Sequence, residues 1–395
     1  MTKKVTEWSK ENQFNSFNSW KGLLYKDYYQ AIVDWKYGRR SAPLPPVEAS
    51  LDLSMYCPAK CSFCNADRYL DKKYKIKQRI IPNDHLFKLI EFLGKWGVRA
   101  ACLGGGGEST THPMFAEAIE AIKKNGMDVA VATNGILIGH VNSECIIISD
   151  FIDYVDTFDH IEALAKCCRW VGISVDAATR ETYKKIKQVD KFSAVKFNIK
   201  SLVNETERIN SSCEVAFKFL ICKDNEHEIY EACKLAKQLG VRDFHARPCD
   251  PTHQGSKVRK ELWQYDVDKI QKQFDKCRKL EDDKFRVFTI VHKFDENFKP
   301  KKDFEQCYAA PLCIQICPNG IYLCPDSRQN DFYRLGHHYP NPEKILKFWG
   351  GKKHYDLTFN TGKKNCTSRC TFGVYCKQCQ ELFISNKDPM CRNFI

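Results

Sequence analysis

The sequence predicts an α/β fold: a parallel sheet curled partway into a barrel, followed by a small cysteine-rich domain. Three observations predict it. From residue 47 to 247 short apolar runs alternate with amphipathic stretches; three cysteines crowd the loop after the first of those runs; and beyond residue 300 the chain becomes short, irregular and dense in cysteine. Strand-like runs fall near 47–54, 99–104, 127–133, 170–176, 214–222 and 241–247. Helical stretches lie between them, from Pro82 to Gly97, His112 to Asn125, Arg180 to Lys187 and Glu226 to Leu239. Six such alternations argue for parallel strands, which need crossover connections, most simply helices. In parallel α/β folds the chemistry gathers at the carboxyl ends of the strands, so residues just past each run are the candidates.

The remaining segments frame this core. Residues 1–46 are rich in aromatic side chains (Trp8, Phe14, Phe17, Trp20, Tyr25, Tyr28, Tyr29, Trp35) and close on Ala42-Pro-Leu-Pro-Pro46. Periodic apolar positions from Trp20 to Trp35 predict one amphipathic helix, stopped by the prolines and packed on the domain that follows. Residues 47–255 form the barrel, 256–300 a charged helical connector with the apolar run Arg286-Val-Phe-Thr-Ile-Val-His292, and 301–395 the cysteine-rich domain. At 395 residues the chain is long enough for two cores. The chain shows no apolar run of membrane-spanning length and no signal-peptide core after Met1, so a cytoplasmic protein without a membrane partner is expected. The 21 cysteines, without a secretion signal, then point to metal or iron-sulfur binding in a reducing compartment. A formal net charge of +13 admits an RNA partner, but the lysines are spread over solvated helices without a dense basic block, so nucleic acid is not favoured.

The most informative run is Leu51-Asp-Leu-Ser-Met-Tyr-Cys-Pro-Ala-Lys-Cys-Ser-Phe-Cys-Asn65. Its C-x3-C-x2-C spacing supplies three thiolates from Cys57, Cys61 and Cys64, whereas a closed zinc site or an ordinary iron-sulfur cluster takes four ligands. Three ligands leave one metal open to a substrate. The alternative is a zinc site that borrows a fourth cysteine, or three structural thiols. The run resembles the signature of radical S-adenosylmethionine (radical SAM) enzymes, whose 4Fe-4S cluster binds SAM at its open iron and cleaves it to methionine and a 5′-deoxyadenosyl radical. The resemblance implies a (β/α)6 partial TIM-like barrel and places Phe63, just before the third cysteine, against the adenine.

The same resemblance orders the other strand ends. Ala101-Cys-Leu-Gly-Gly-Gly-Gly-Glu-Ser109 is similar to the family's GGE motif, which implies that Gly106, Gly107 and Glu108 hold the methionine amino group. Asn134 follows the third strand. Ser174 and Asp176 follow the fourth and are candidates for the SAM ribose, although Asp176 serves equally well as a cap for the helix beginning near Thr179. Arg247, closing the sixth strand, suits the SAM carboxylate or a substrate anion, or a structural ion pair.

After residue 300, Cys307-x5-Cys313-x10-Cys324 precedes Cys366-x3-Cys370-x5-Cys376-x2-Cys379-x11-Cys391. Two groups of this kind can fill two four-ligand sites. This looks like a SPASM domain with two auxiliary 4Fe-4S clusters. The resemblance assigns Cys307, Cys313, Cys324 and Cys379 to one cluster and Cys366, Cys370, Cys376 and Cys391 to the other. The spacings depart from the usual run, Cys317 is an additional thiol that could replace Cys313, and a pair of zinc sites remains the alternative.

Auxiliary clusters favour a net two-electron oxidation, and Asp326, two residues after Cys324, stands where relatives keep a general base; an exposed turn aspartate is the plainer reading. The expectation is a radical SAM oxidoreductase acting on a peptide or protein side chain or on a small polyol or amino sugar. Its electrons would come from a one-electron donor such as flavodoxin or ferredoxin. The segment before residue 47 looks too short for the peptide-binding domain that many peptide-modifying relatives carry. An RNA-modifying radical SAM enzyme and a non-enzymatic zinc-binding protein are the alternatives.

Overall fold

The computed structural model describes residues 19–64, 78–139, 160–249, 264–291, 294–297, 302, 304–361, 366 and 370–385. Seven strands, β1 (Glu48–Leu51), β2 (Ala100–Leu103), β3 (Asp128–Thr133), β4 (Cys168–Ser174), β5 (Glu214–Ile221), β6 (Asp243–Pro248) and β7 (Arg286–Thr289), lie side by side in chain order, all parallel. The helices are α1 (Lys26–Lys36), α2 (Asn83–Trp96), α3 (Phe115–Lys124), α4 (Ile161–Cys167), α5 (Arg180–Lys187), α6 (Phe192–Arg208), α7 (Ile229–Leu239), α8 (Val267–Arg278), α9 (Ile345–Phe348), α10 (Lys352–Phe359) and α11 (Gly373–Ser385). Among the described residues no helix is long and apolar enough to cross a membrane.

Local chemistry explains the helix bounds. In α2, Leu86, Leu89, Ile90 and Leu93 form a stripe at helical spacing, and Gly97 ends the helix at φ +103°, a conformation that favours glycine. In α5, Thr179 is the cap: its Oγ1 accepts from Thr182 N at 3.3 Å and donates to Glu228 Oε1 at 2.6 Å. Asp176 is therefore not the cap of this helix.

Strand alternation separates two faces. Leu51, Leu103, Val129, Val131, Val171, Ile173, Phe217 and Phe244 join one core with Leu89, Ile119, Ile199 and Phe274 of the surrounding helices. The alternate positions, among them Ser50, Cys102, Trp170, Ser174, Lys218 and Arg247, turn to the interior of the curled sheet.

Two arrangements go beyond the sequence reading. The apolar run near 286 becomes β7, a seventh parallel strand. The cysteine-rich segment also adds β8 (Cys313–Cys317) parallel to β1, with β9 (Gly320–Tyr322) and β10 (Arg334–Gly336) following antiparallel, so that one ten-stranded sheet includes both. The N-terminal helix also differs from expectation. Residues 19–24 form a 3-10 turn before α1, and α1 packs on the far end of the sequence: Tyr28, Ile32, Val33 and Trp35 are buried with Tyr308, Leu312, Phe359, Tyr375 and Cys376. Its aromatic face matches the aromatic surface of the cysteine-rich segment, not the helix-covered barrel. Trp35 packs tilted or edge-on against His354, Tyr355 and Phe359, and Tyr29 lies at the margin of the same cluster.

Candidate active site

Cys57, Cys61 and Cys64 lie in the loop beyond β1, held by backbone hydrogen bonds from both sides. Lys60 N donates to Lys187 O at 3.0 Å and Ser62 N to Ile186 O at 2.9 Å, so the last turn of α5 clamps the loop. Asn134 Nδ2 points at Cys57 Sγ, 3.6 Å away. Burial first, then the charges of Glu108 and Cys61, push the Cys57 thiol well up. Burial likewise raises Cys61, opposed by Lys187. Thiols raised in this way ionise when a metal supplies the compensating charge. As placed, no three His, Cys, Asp or Glu side chains among the described residues converge on one metal-binding point. The donor set nevertheless suits a sulfur-ligated cluster with one open position: three thiols from a single loop, at the carboxyl end of a barrel strand.

The glycine run crosses this loop. Gly104 and Gly105 take φ +127° and +130°, and a Cβ on Gly107 would strike Ser54 O and the Met55 backbone. Glu108, 3% exposed, follows. Its N donates to Tyr56 O at 2.7 Å; Oε1 accepts from Thr133 Oγ1 at 2.7 Å and Thr110 Oγ1 at 2.9 Å, and Oε2 from Asn134 N at 2.7 Å. Burial raises its pKa against these donors. Glu108 thus ties the glycine loop to the end of β3 beside the cysteines. Gly106 is buried in the same turn.

Phe63 is buried with Ile186, Cys222 and Cys249, and Lys187 Nζ lies 6.0 Å from its ring centroid. Asp176 is fully buried at φ +61°. Its Oδ2 pairs with Lys187 Nζ at 2.5 Å and its Oδ1 accepts from Leu220 N at 2.6 Å. Both carboxylate oxygens are thus engaged within the fold, whereas Ser174 stands half-buried at the end of β4. Arg247, half-buried, ends the interior row of β6.

The second cysteine set is brought together across the expected division. Burial, then Asp326, Cys307 and Cys366, push Cys324 well up; burial, then Cys307, Asp326, Cys366 and Cys324, do the same to Cys370. Cys313 belongs to the same group, and Cys307 is lowered first by its hydrogen bond with Cys376. Cys379 is buried in the same cluster as Cys370 and Cys376, beside Tyr375, and Cys391 lies outside the described residues. Asp326 stands amid these thiols, its Oδ2 accepting from Thr371 N at 2.9 Å, so one oxygen bridges the two cysteine runs. Cys317 is no part of this group. Fully buried, it donates to Asp52 Oδ2 at 3.3 Å and packs with Met55, Tyr322 and Cys64.

Sequence reasoning missed Asp52, Lys187, Lys218 and Arg328. A signal was present for two of them: Asp52, just after β1, and Lys218, within β5, continue inward rows that already carry Glu48 and Glu214.

Residues 52–248 match the family model described as Radical SAM superfamily. Among curated proteins, the chain is 25% identical over 295 residues to a probable GTP 3′,8-cyclase of Saccharolobus solfataricus, covering 72% of this chain and 82% of that one. It is also 25% identical over 218 residues to a probable GTP 3′,8-cyclase of Saccharolobus islandicus, covering 55% of this chain and 61% of that one. Among solved structures it is similar to Streptococcus suis SuiB bound to precursor peptide SuiA, with a TM-score of 0.59 at 15% identity over 89% of this chain and 74% of that one. Native anSMEcpe with bound AdoMet and Cp18Cys peptide gives a TM-score of 0.54 at 14% identity, over 89% and 100%. These two likenesses concern the fold.

Proposed function

Since this chain is an enzyme of the radical SAM superfamily, which implies a 4Fe-4S cluster and S-adenosylmethionine, we propose that it carries out a two-electron oxidation of its substrate, in which one electron leaves with the abstracted hydrogen atom and a SPASM-like C-terminal segment accepts the other. The observation that carries this reading is the shared wall: β8 pairs in register with β1, so the segment bearing Cys307, Cys313 and Cys324 forms one side of the barrel interior.

Cys57, Cys61 and Cys64 would hold the 4Fe-4S cluster, which would supply the electron for reductive cleavage of SAM and so the radical chemistry at the substrate. The protein's own groups orient SAM. Phe63 would pack on the adenine, the Gly106-Gly107-Glu108 turn and Asn134 would receive the amino group, Ser174 would serve the ribose, and Arg247 would hold the carboxylate. Asp176 supports this pocket through Lys187, fixing α5 and with it the cysteine loop. Asp326 takes the proton that the oxidised substrate loses. Cys307, Cys313, Cys324, Cys366, Cys370, Cys376 and Cys379 would supply the ligands of at least one auxiliary 4Fe-4S cluster, whose role would be to accept that electron. The substrate is a peptide or protein side chain or a small polyol or amino sugar, and the electron donor is a small protein such as flavodoxin or ferredoxin. A second reading, a nucleoside triphosphate substrate, is favoured by the 25% identity over 295 residues to a probable GTP 3′,8-cyclase.

The test is anaerobic SAM cleavage under dithionite. Wild type should release 5′-deoxyadenosine and the Cys57/Cys61/Cys64 triple alanine variant none; equal release from both would refute the assignment of the cluster loop. Stimulation by GTP would select the second reading.

A further inference from the structure

The glycine run beside the cysteine loop is walled at three positions, and the walls differ in kind. A Cβ on Gly104 would strike Ala132 O of β3, and one on Gly107 would strike Ser54 O and the Met55 backbone, so both of these walls are main chain of the barrel. The wall at Gly105 is a side chain from outside it. At φ +130° this residue lies so close to Arg328 that any Cβ would collide with the guanidinium. Main chain is fixed by the sheet it belongs to, whereas a guanidinium stands only where its own partners put it.

Those partners are specific. Arg328 Nη2 donates to Oε1 of Gln315, fully buried on β8, at 3.0 Å. Arg328 Nε stands 3.7 Å from Oδ2 of Asp52, a residue only 1% exposed. A buried charge needs a countercharge, so Asp52 and Arg328 hold each other in place. Behind Arg328, the 3-10 turn Pro325–Ser327 leads back to Cys324. It is closed by Ser327 N on Cys324 O at 3.0 Å and by Cys324 N on Ser327 Oγ at 3.0 Å. A short path thus runs from an auxiliary cysteine through Arg328 to Gly105, and the next three residues are Gly106, Gly107 and Glu108.

We propose that Arg328 is a positioning residue for SAM: its guanidinium sets the glycine turn, so that the cysteine-rich segment, and not the barrel alone, determines how tightly SAM is held. The guanidinium fills the space beside Gly105 and keeps the turn in its binding shape before SAM arrives. A turn fixed beforehand loses little conformational freedom on binding, which is where preorganisation gains affinity. The inference rests on the reading above, in which Gly106, Gly107 and Glu108 receive the methionine amino group, and adds to it a residue that acts through Gly105.

Equilibrium dialysis of SAM against the anaerobically reconstituted full chain, without reductant, tests it apart from the chemistry, with iron content measured for each variant. The paired variant R328Q/D52N removes both charges and so strands neither. It should keep its iron and bind SAM about tenfold more weakly or worse, while 5′-deoxyadenosine formation at saturating SAM stays within about twofold of wild type. R328K, which keeps the charge without the planar fork, should weaken binding several-fold, and it decides the matter if the paired variant loses iron. K123M on outer helix α3 should change nothing. E108Q, in the turn itself, should also weaken SAM binding. Wild-type affinity in the Arg328 variants while E108Q weakens would overturn this inference alone; wild-type affinity in E108Q would overturn both readings, because the turn would not be the SAM site. Loss of iron and of the saturating rate in R328K as well as the paired variant would also overturn it, leaving Arg328 a purely structural residue.

Discussion

The two cysteine sites are held by opposite means. The first is local. Three cysteines of one loop are fixed by main-chain hydrogen bonds to α5 and by Glu108 N on Tyr56 O, and beneath them lies a buried ion pair, Lys187 with Asp176. The second is assembled from distant segments, with Cys307 and Cys376 meeting only because α1, α10 and α11 bury a common aromatic cluster around them. Main-chain anchoring makes the first site a property of the barrel; side-chain packing makes the second depend on the N-terminal helix. The two should therefore be separable by mutation.

Lys187→Met should have the largest effect on the first site. Removing one partner of a buried ion pair leaves Asp176 uncompensated, at about 3–5 kcal/mol. Denaturant unfolding should show that loss, and the double variant K187M/D176L should recover most of it. Trp35→Ala should act on the other site. Emptying that aromatic pocket costs about 3–5 kcal/mol, and auxiliary iron should fall while 5′-deoxyadenosine formation by the barrel persists. Equal iron loss from both sites in either variant would erase the distinction.

The pH dependence gives a smaller and directional test. Burial pushes His354, packed on Trp35 and Trp349, down to about 3. Unfolded, it titrates near its ordinary value of 6.5. Between these values the unfolded chain binds the extra proton, so this contribution is intact above about pH 6.5 and is lost as pH falls toward about 3. His354→Asn can still accept from Gly350 N, through an Oδ1 at the position of Nδ1. It should flatten the acid limb of the stability profile by about 1.4 kcal/mol per pH unit. Smallest of the set, Thr179→Ala should cost about 1 kcal/mol by uncapping α5, and it should loosen the first cysteine loop before the second.

The same division governs what the sequence disclosed. The six strand runs appear as β1–β6 within a few residues, and α5 occupies Arg180–Lys187 as read, because hydrophobic period and capping are local. The trio of cysteines was legible for the same reason. By contrast, Cys313-Ile-Gln-Ile-Cys317 reads as a ligand motif and is also strand β8; its partner β1 lies at the other end of the chain, and nothing local encodes that pairing. Nor did local pattern show that α1 would cover the cysteine-rich segment, since an apolar helix face does not name its partner. Asp176 illustrates the point within the site: a capping residue by position, it is an ion-pair partner in space, because its left-handed backbone turns the carboxylate toward Lys187. Arg328 escaped notice because its role comes from reaching Gly105 across the sheet.

The central claim, one radical SAM cluster beside a separately held auxiliary cluster, is tested most directly by metal analysis of anaerobically reconstituted protein. The variants needed are the Cys57/Cys61/Cys64 triple alanine and Cys307→Ala/Cys324→Ala. The account predicts at least about eight irons per chain, with about four lost in the first variant and auxiliary iron alone lost in the second. About four irons accompanied by zinc, with the zinc lost in the second variant, would contradict it by leaving the C-terminal segment no means of accepting an electron.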